Sequence, residues 1–232
     1  ELQVYDISSA TTPIYVAGRD ASGDATGNYG ETINFLTITG NYLYTGKTGQ
    51  SGACSQTAGS AAGCELQVYD ISSSTNPLYV AGRDVSGDAT GTSSNNILAL
   101  TTSGNYLYVG NELNSTACSQ TAGSAEGCEL MVFDISSTTN PTYVAGRDVS
   151  GDSTGIGAEA IYTLTTAGNY LYVGKSNDST ACSQTAGSAI GCELMVFDIS
   201  STTNPTYVAG RDVSGNNTGT GSVTISTLTT VG

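Results

Sequence analysis

The sequence has no histidine, no tryptophan, four prolines, two methionines and only six basic residues. Each shortage excludes something. Without histidine there is no imidazole to act as general base or metal ligand, so no His-based triad can form. Twenty acidic residues against six basic ones give a formal charge of −14. Binding nucleic acid needs a basic stripe, and binding an anionic membrane surface needs a basic cluster; neither can be built here. No apolar run approaches the roughly 18 residues of a membrane-spanning helix, so no membrane insertion is expected. Charged residues are 11% and hydrophobic ones 38%, outside the regime of disordered chains, which combine low hydrophobicity with high charge. Helical periodicity is missing as well. The chain opens directly on a strand-like ELQVYDIS, so any export signal is expected to be removed or to lie outside this stretch.

What is present is repetition. ELQVYDISS begins at Glu1 and Glu65, and ELMVFDISS at Glu129 and Glu193, so one unit spans 64 residues. Residues 129–151 are identical to 193–215. Such self-similarity is the mark of a repeat architecture. Each unit reads as four short strands. In the unit centred on Glu129 they are expected at 97–102, 105–109, 129–135 and 142–146. Ser103-Gly104 turns the first into the second, and Asn140-Pro141 breaks the chain before the fourth.

Alternation along the runs places apolar residues on both faces. Tyr106 and Tyr108 oppose Leu107 and Val109, while Leu130 and Val132 oppose Met131, Phe133 and Ile135. A sheet with one wet face would alternate apolar and polar residues. A sheet apolar on both sides must be covered on both sides by neighbours. The expectation is an all-β, β-propeller-like repeat of four-stranded antiparallel blades, about four of them, forming one repeat domain over 1–232.

The stretches 105–110 (NYLYVG), 132–136 (VFDIS) and 140–145 (NPTYVA), with their equivalents in the other units, resemble the LVIVD-repeat family of bacterial and archaeal surface proteins. The resemblance implies a propeller-like fold and a surface location, and no defined chemistry. The chain departs from that pattern in a Cys-bounded segment between the second and third strands.

The strand count does not close. Third and fourth strands occur four times. First strands recur near 33, 97, 161 and 224, but second strands begin only at Asn41, Asn105 and Asn169. Fifteen strands are expected where four blades need sixteen. The chain is then part of a longer array, or a ring that closes imperfectly, or a molecule completed by a neighbour. Unpaired edges recruit strands, and head-to-tail contacts that do not close make filaments.

Six cysteines bound three copies of Cys-Ser-Gln-Thr-Ala-Gly-Ser-Ala-x-Gly-Cys. This predicts local disulfides Cys54–Cys64, Cys118–Cys128 and Cys182–Cys192, and with them an oxidising, extracellular or cell-surface setting. Zinc prefers closer cysteine spacing and usually histidine. The Arg-Asp-x-Ser-Gly-Asp turns pair Asp20 with Asp24, Asp84 with Asp88, and Asp148 with Asp152, candidates for Ca²⁺. The plainer reading is a glycine turn capped by aspartate, with the arginine as ion-pair partner. Asp6, Asp70, Asp134 and Asp198 are read as anchors of the turn that follows the third strand. Gly-Lys-Thr at 46–48 and Gly-Lys-Ser at 174–176 lack the spacing and the helix of a phosphate loop, and read as polar loop at a strand end. Asn114, Asn177 and Asn216 open N-glycosylation sequons.

The acidic motifs recur from unit to unit, with Asn216 in place of the second aspartate in the fourth copy, whereas an active site is usually one asymmetric constellation. The sequence therefore reads as a non-enzymatic extracellular structural repeat protein that self-associates head to tail. The alternative is an adhesin, binding glycan or protein through loops at one end of the blades.

Overall fold

The computed structural model describes residues 2–9, 11–21, 32–48, 54, 63–85, 95–112, 118, 127–149, 159–176, 182, 191–214 and 223–230. Among these residues every regular element is a strand, as the sequence pattern predicts. Blade 1 contains β1 (Leu2–Asp6) and β2 (Ile14–Arg19). Blade 2 contains β3 (Ile33–Thr39), β4 (Tyr42–Lys47), β5 (Leu66–Asp70) and β6 (Leu78–Arg83). Blade 3 contains β7 (Asn96–Ser103), β8 (Tyr106–Glu112), β9 (Leu130–Asp134) and β10 (Thr142–Arg147). Blade 4 contains β11 (Ile161–Ala167), β12 (Tyr170–Lys175), β13 (Leu194–Asp198) and β14 (Thr206–Arg211). Blades 2, 3 and 4 are four-stranded antiparallel meanders in chain order, and blade 1 is a two-stranded ladder.

Local chemistry explains each meander. The first hairpin turns on Gly40, Gly104 or Gly168, each at φ 57°, in the left-handed region that costs glycine little. The third strand stops at its aspartate, whose Oδ1 accepts the amide two residues on: Ser8, Ser72, Ser136 and Ser200 N–H all bond at 2.8 Å. These bonds hold all four carboxyls below their ordinary range. The turn-anchoring role expected of these aspartates is therefore observed.

Blades stack face to face in chain order. One core cluster joins blades 3 and 4 through Tyr108, Leu130, Val132, Leu164 and Leu171. A second joins blades 2 and 3 through Tyr44, Leu66, Val68, Leu100 and Leu107. A third, smaller one joins blades 1 and 2 through Leu2, Leu43 and Tyr69. Close approach depends on a glycine in each second strand. A Cβ built at Gly110 would lie 2.5 Å from Ile161 Cγ2, and one at Gly174 would lie 2.7 Å from Ile225 Cγ2. A larger residue there would push blades apart.

One expected strand is not found. The run 223–230 forms no ladder among the described residues. It lies along blade 4 instead: Ile225 N–H donates to Lys175 O (3.3 Å) and Leu228 N–H to Thr163 Oγ1 (3.1 Å). The physical reason is pairing. A first strand becomes a strand by laddering with its second strand, and no described strand ladders with 223–230. Fourteen strands, not fifteen, form ladders among the described residues.

Candidate binding surface

The two ends of the stack differ from its middle. On blade 1 one edge of β1 pairs with β2, and no described strand pairs with the other. Above that edge is a cavity of about 320 Å³, lined along β1 by Leu2 to Tyr5, from blade 2 by Leu36, Ile38, Leu43 and Ile71, and by Pro77. Its surroundings are apolar and exposed. Tyr5 is 47% accessible, Ile7 75%, Leu36 53% and Ile38 56%. Exposed apolar clusters of this kind mark interaction sites on soluble proteins.

A second feature runs through the stack as a ladder. Arg83 Nε donates to Pro141 O at 2.6 Å and Arg147 Nε to Pro205 O at 2.7 Å, with each Nη2 on the adjacent Asn140 or Asn204 side chain. Arg19 grips Pro77 O and Asn76 in the same way. Each blade's last strand thus latches the Asn-Pro turn of the next blade. Guanidinium supplies several fixed donors, which suits a carbonyl and an amide side by side. The sequence reading made these arginines ion-pair partners of the neighbouring aspartates; among the described residues they also reach across to the next blade. Among the described residues the ladder runs from Pro77 to Arg147. Arg211 is exposed and bonds only Gly210 O (2.6 Å) among the described residues. Pro13 is exposed, whereas Pro77, Pro141 and Pro205 are buried.

A third feature is a buried polar knot beside each blade junction. Lys175 is inaccessible. It donates to Val149 O (3.3 Å) and pairs with Glu159. Lys47 is likewise buried and donates to Ala21 O. These are the lysines of the Gly-Lys-Thr and Gly-Lys-Ser sequences. They are not the polar strand-end loop of the sequence reading but strand residues tied to Ala21 and Val149, which follow the last strand of the preceding blade. Glu129 Oε2 accepts Val149 N–H (3.1 Å), while its Oε1 has no partner. Burial, reinforced by the charge of Asp148, raises the Glu129 carboxyl to about 7. Blade 3 has Asn111 where its neighbours have lysine, and both amide atoms of Asn111 are buried without a partner. Sequence reasoning missed this knot. Its signal was available, since Asn95 and Asn111 replace together the pair that Glu159 and Lys175 form 64 residues later.

The three predicted disulfides are present, each closing a ten-residue separation with Cα atoms 4.4 Å apart. Cys64, Cys128 and Cys192 are fully buried. Of the calcium candidates, Asp20, Asp84 and Asp148 are described, while Asp24, Asp88 and Asp152 lie outside the described residues. Asn114, Asn177 and Asn216 lie outside them as well. Among the described residues no three carboxylate, thiolate or imidazole groups gather to hold a metal ion, and no helix is long and apolar enough to cross a membrane.

The family model described as LVIVD repeat matches residues 99–115, a stretch that begins in β7 and runs through β8. In that hairpin the chain is similar to an LVIVD repeat, the same family its strand motifs resemble. No curated protein matches the chain.

Proposed function

We propose that this chain is an extracellular structural repeat protein that assembles head to tail, each copy continuing the blade stack of the one before. The observation that carries this reading is that the two ends are unlike halves of one internal junction. Between blades 2 and 3, and again between 3 and 4, an arginine at the close of one blade holds the Asn-Pro turn of the next. Among the described residues an exposed Arg211 meets no such turn, and an exposed Thr12-Pro13 meets no such arginine. Unlike halves on one molecule make a heterologous contact, which propagates unless rotation closes it. Three disulfides fit an oxidising compartment, where repeated blades with pinned loops serve as durable building material. The alternative, glycan binding through the acidic loops, has no described geometry behind it, because most of those loops lie outside the described residues.

Electron microscopy of the purified chain across a concentration series tests the proposal. Fibres or arrays are expected to appear as concentration rises, and Arg211→Glu is expected to suppress them without unfolding the chain. Discrete particles at every concentration would overturn it.

A further inference from the structure

The described blade junctions differ in one buried charge. Between blades 1 and 2, the Lys47 ammonium donates to Ala21 O (2.5 Å), which also accepts Gln67 Nε2 (2.8 Å). Between blades 3 and 4, the Lys175 ammonium donates to Val149 O (3.3 Å) and pairs with Glu159. Both lysines are buried. Between blades 2 and 3, the repeat of 64 residues puts Val85 at the place of Ala21 and Val149, Asn111 at the place of the lysines and Asn95 at the place of Glu159. Two neutral amides replace the lysine and its glutamate together.

The register shows that Asn111 stands where the lysines stand. Lys47 lies opposite Ile33, Asn111 opposite Ile97 and Lys175 opposite Ile161. Their backbone N–H groups donate alike, Lys47 to Glu65 O, Asn111 to Glu129 O and Lys175 to Glu193 O. The asparagine side chain therefore leaves the same strand position on the same face, but it is shorter and carries no charge.

The polar atoms at this junction lack what their counterparts have. Asn111 is inaccessible, and neither its Oδ1 nor its Nδ2 has a partner. Asn95 is 5% accessible, and its Nδ2 has no partner either. No described residue donates to Val85 O, because Asn111 and Met131 stand at the places of Lys47 and Gln67. Beside them is the buried carboxyl of Glu65, whose Oε2 accepts Val85 N–H (3.1 Å), just as Glu129 Oε2 accepts Val149 N–H next to Lys175. Buried polar groups are nearly always satisfied, by protein, water or ion.

We infer that Glu65, Val85 O, Asn95 and Asn111 form a binding site for a monovalent metal cation of potassium size, which does between blades 2 and 3 what a lysine ammonium does at the neighbouring junctions. The donors suit it. Carbonyl and amide oxygens replace the hydration shell of such an ion, and the Glu65 carboxyl fixes the sign of the charge that is welcome. The ion matches the group it stands in for, since potassium and ammonium carry the same charge and are close in size. Calcium takes six to eight oxygens, several of them from carboxylates, which is more than this junction offers. A water kept by the ion accepts the Nδ2 N–H groups of both asparagines.

The test uses the 232-residue chain in tetramethylammonium chloride, a cation too large for the site, with potassium chloride substituted stepwise at constant ionic strength. Tm is expected to rise by about 3 °C once potassium exceeds its dissociation constant about tenfold. Asn95→Glu combined with Asn111→Lys restores the pair that Glu159 and Lys175 form, and is expected to abolish that rise while melting no lower than the unaltered chain in potassium. Thallium(I), a potassium mimic with strong anomalous scattering, is expected in crystals of the unaltered chain at one position touching Asn111 Oδ1 and Val85 O. That readout stands even if the double variant does not fold. Equal melting in potassium and tetramethylammonium, a rise just as large in the double variant, or water alone at the thallium position would each overturn the inference. Calcium displacing thallium where potassium does not would overturn the assignment of a monovalent ion. None of these readouts involves fibres, so their failure leaves the assembly proposal standing.

Discussion

Blades 1 and 3 carry nearly the same third strand, LQVYD and LMVFD, in opposite circumstances. In blade 3, Leu130, Met131 and Val132 are inaccessible and Phe133 is 2% exposed. In β1 of blade 1, only Leu2 is buried, and Tyr5, which corresponds to Phe133, is 47% exposed. Each aromatic still meets its tyrosine partner edge to face: Tyr5 with Tyr15 and Phe133 with Tyr143, centroids 5.8 Å apart in both. The pair is therefore set within a blade, and its burial is set by the blades on either side. Apolar burial stabilises in proportion to the area removed from water, so equal sequences contribute unequally at the end and in the middle.

The sharpest test of this contrast replaces the aromatic at each place. Phe133→Ala is expected to cost about 3–5 kcal/mol, the usual range for a fully buried ring. Tyr5→Ala should cost at least about 2 kcal/mol less, because water already reaches much of its surface. Urea denaturation of both variants checks this, and equal losses would break the comparison.

A second test concerns the buried acid of blade 3. Glu129 titrates near 7 in the folded chain against an ordinary 4.5, so the folded state holds its proton more tightly than the unfolded state. The stabilisation from this group is fully present below about pH 4.5 and is lost as pH rises toward 7. A shift of that size corresponds to about 3 kcal/mol at most. Glu129→Gln is expected to flatten the profile between those pH values and to raise stability at pH 8, read as Tm against pH. An unchanged slope would remove Glu129 as its cause. The aspartates at the third-strand ends act in the opposite sense and at lower pH, since their carboxyls are held down.

The smallest expected difference separates the arginines. Arg83→Ala removes the latch on Pro141 and Asn140 and should cost about 1–2 kcal/mol, in line with charged hydrogen bonds. Arg211→Ala should leave the dilute monomer unchanged within about 0.5 kcal/mol. Thermal melts at low concentration decide it. An equal loss at both sites would mean that Arg211 is engaged within its own chain.

Much of this was legible in the sequence because it was local or repeated. The 64-residue period, the strand order within a blade, the cysteine pairs and the turn-anchoring aspartates each depend on residues close together along the chain. The need for cover on both faces also followed from the alternation of Leu130 to Ile135. The arginine latches were harder to see, since donor and acceptor stand 58 residues apart and the neighbouring aspartate offered a nearer partner. The polar knot was hidden for the same reason. Lys47 and Lys175 resemble surface residues until the carbonyls of Ala21 and Val149 meet them.

The sequence by itself determined that the molecule is built of antiparallel four-strand units with apolar faces on both sides, since a period of two and glycine turns are properties of the chain alone. Only the tertiary structure decided which of those faces are dry. Burial depends on what lies about one blade away in space, and the leucines and valine that line the cavity beside β1 are the same types that are buried at the internal junctions.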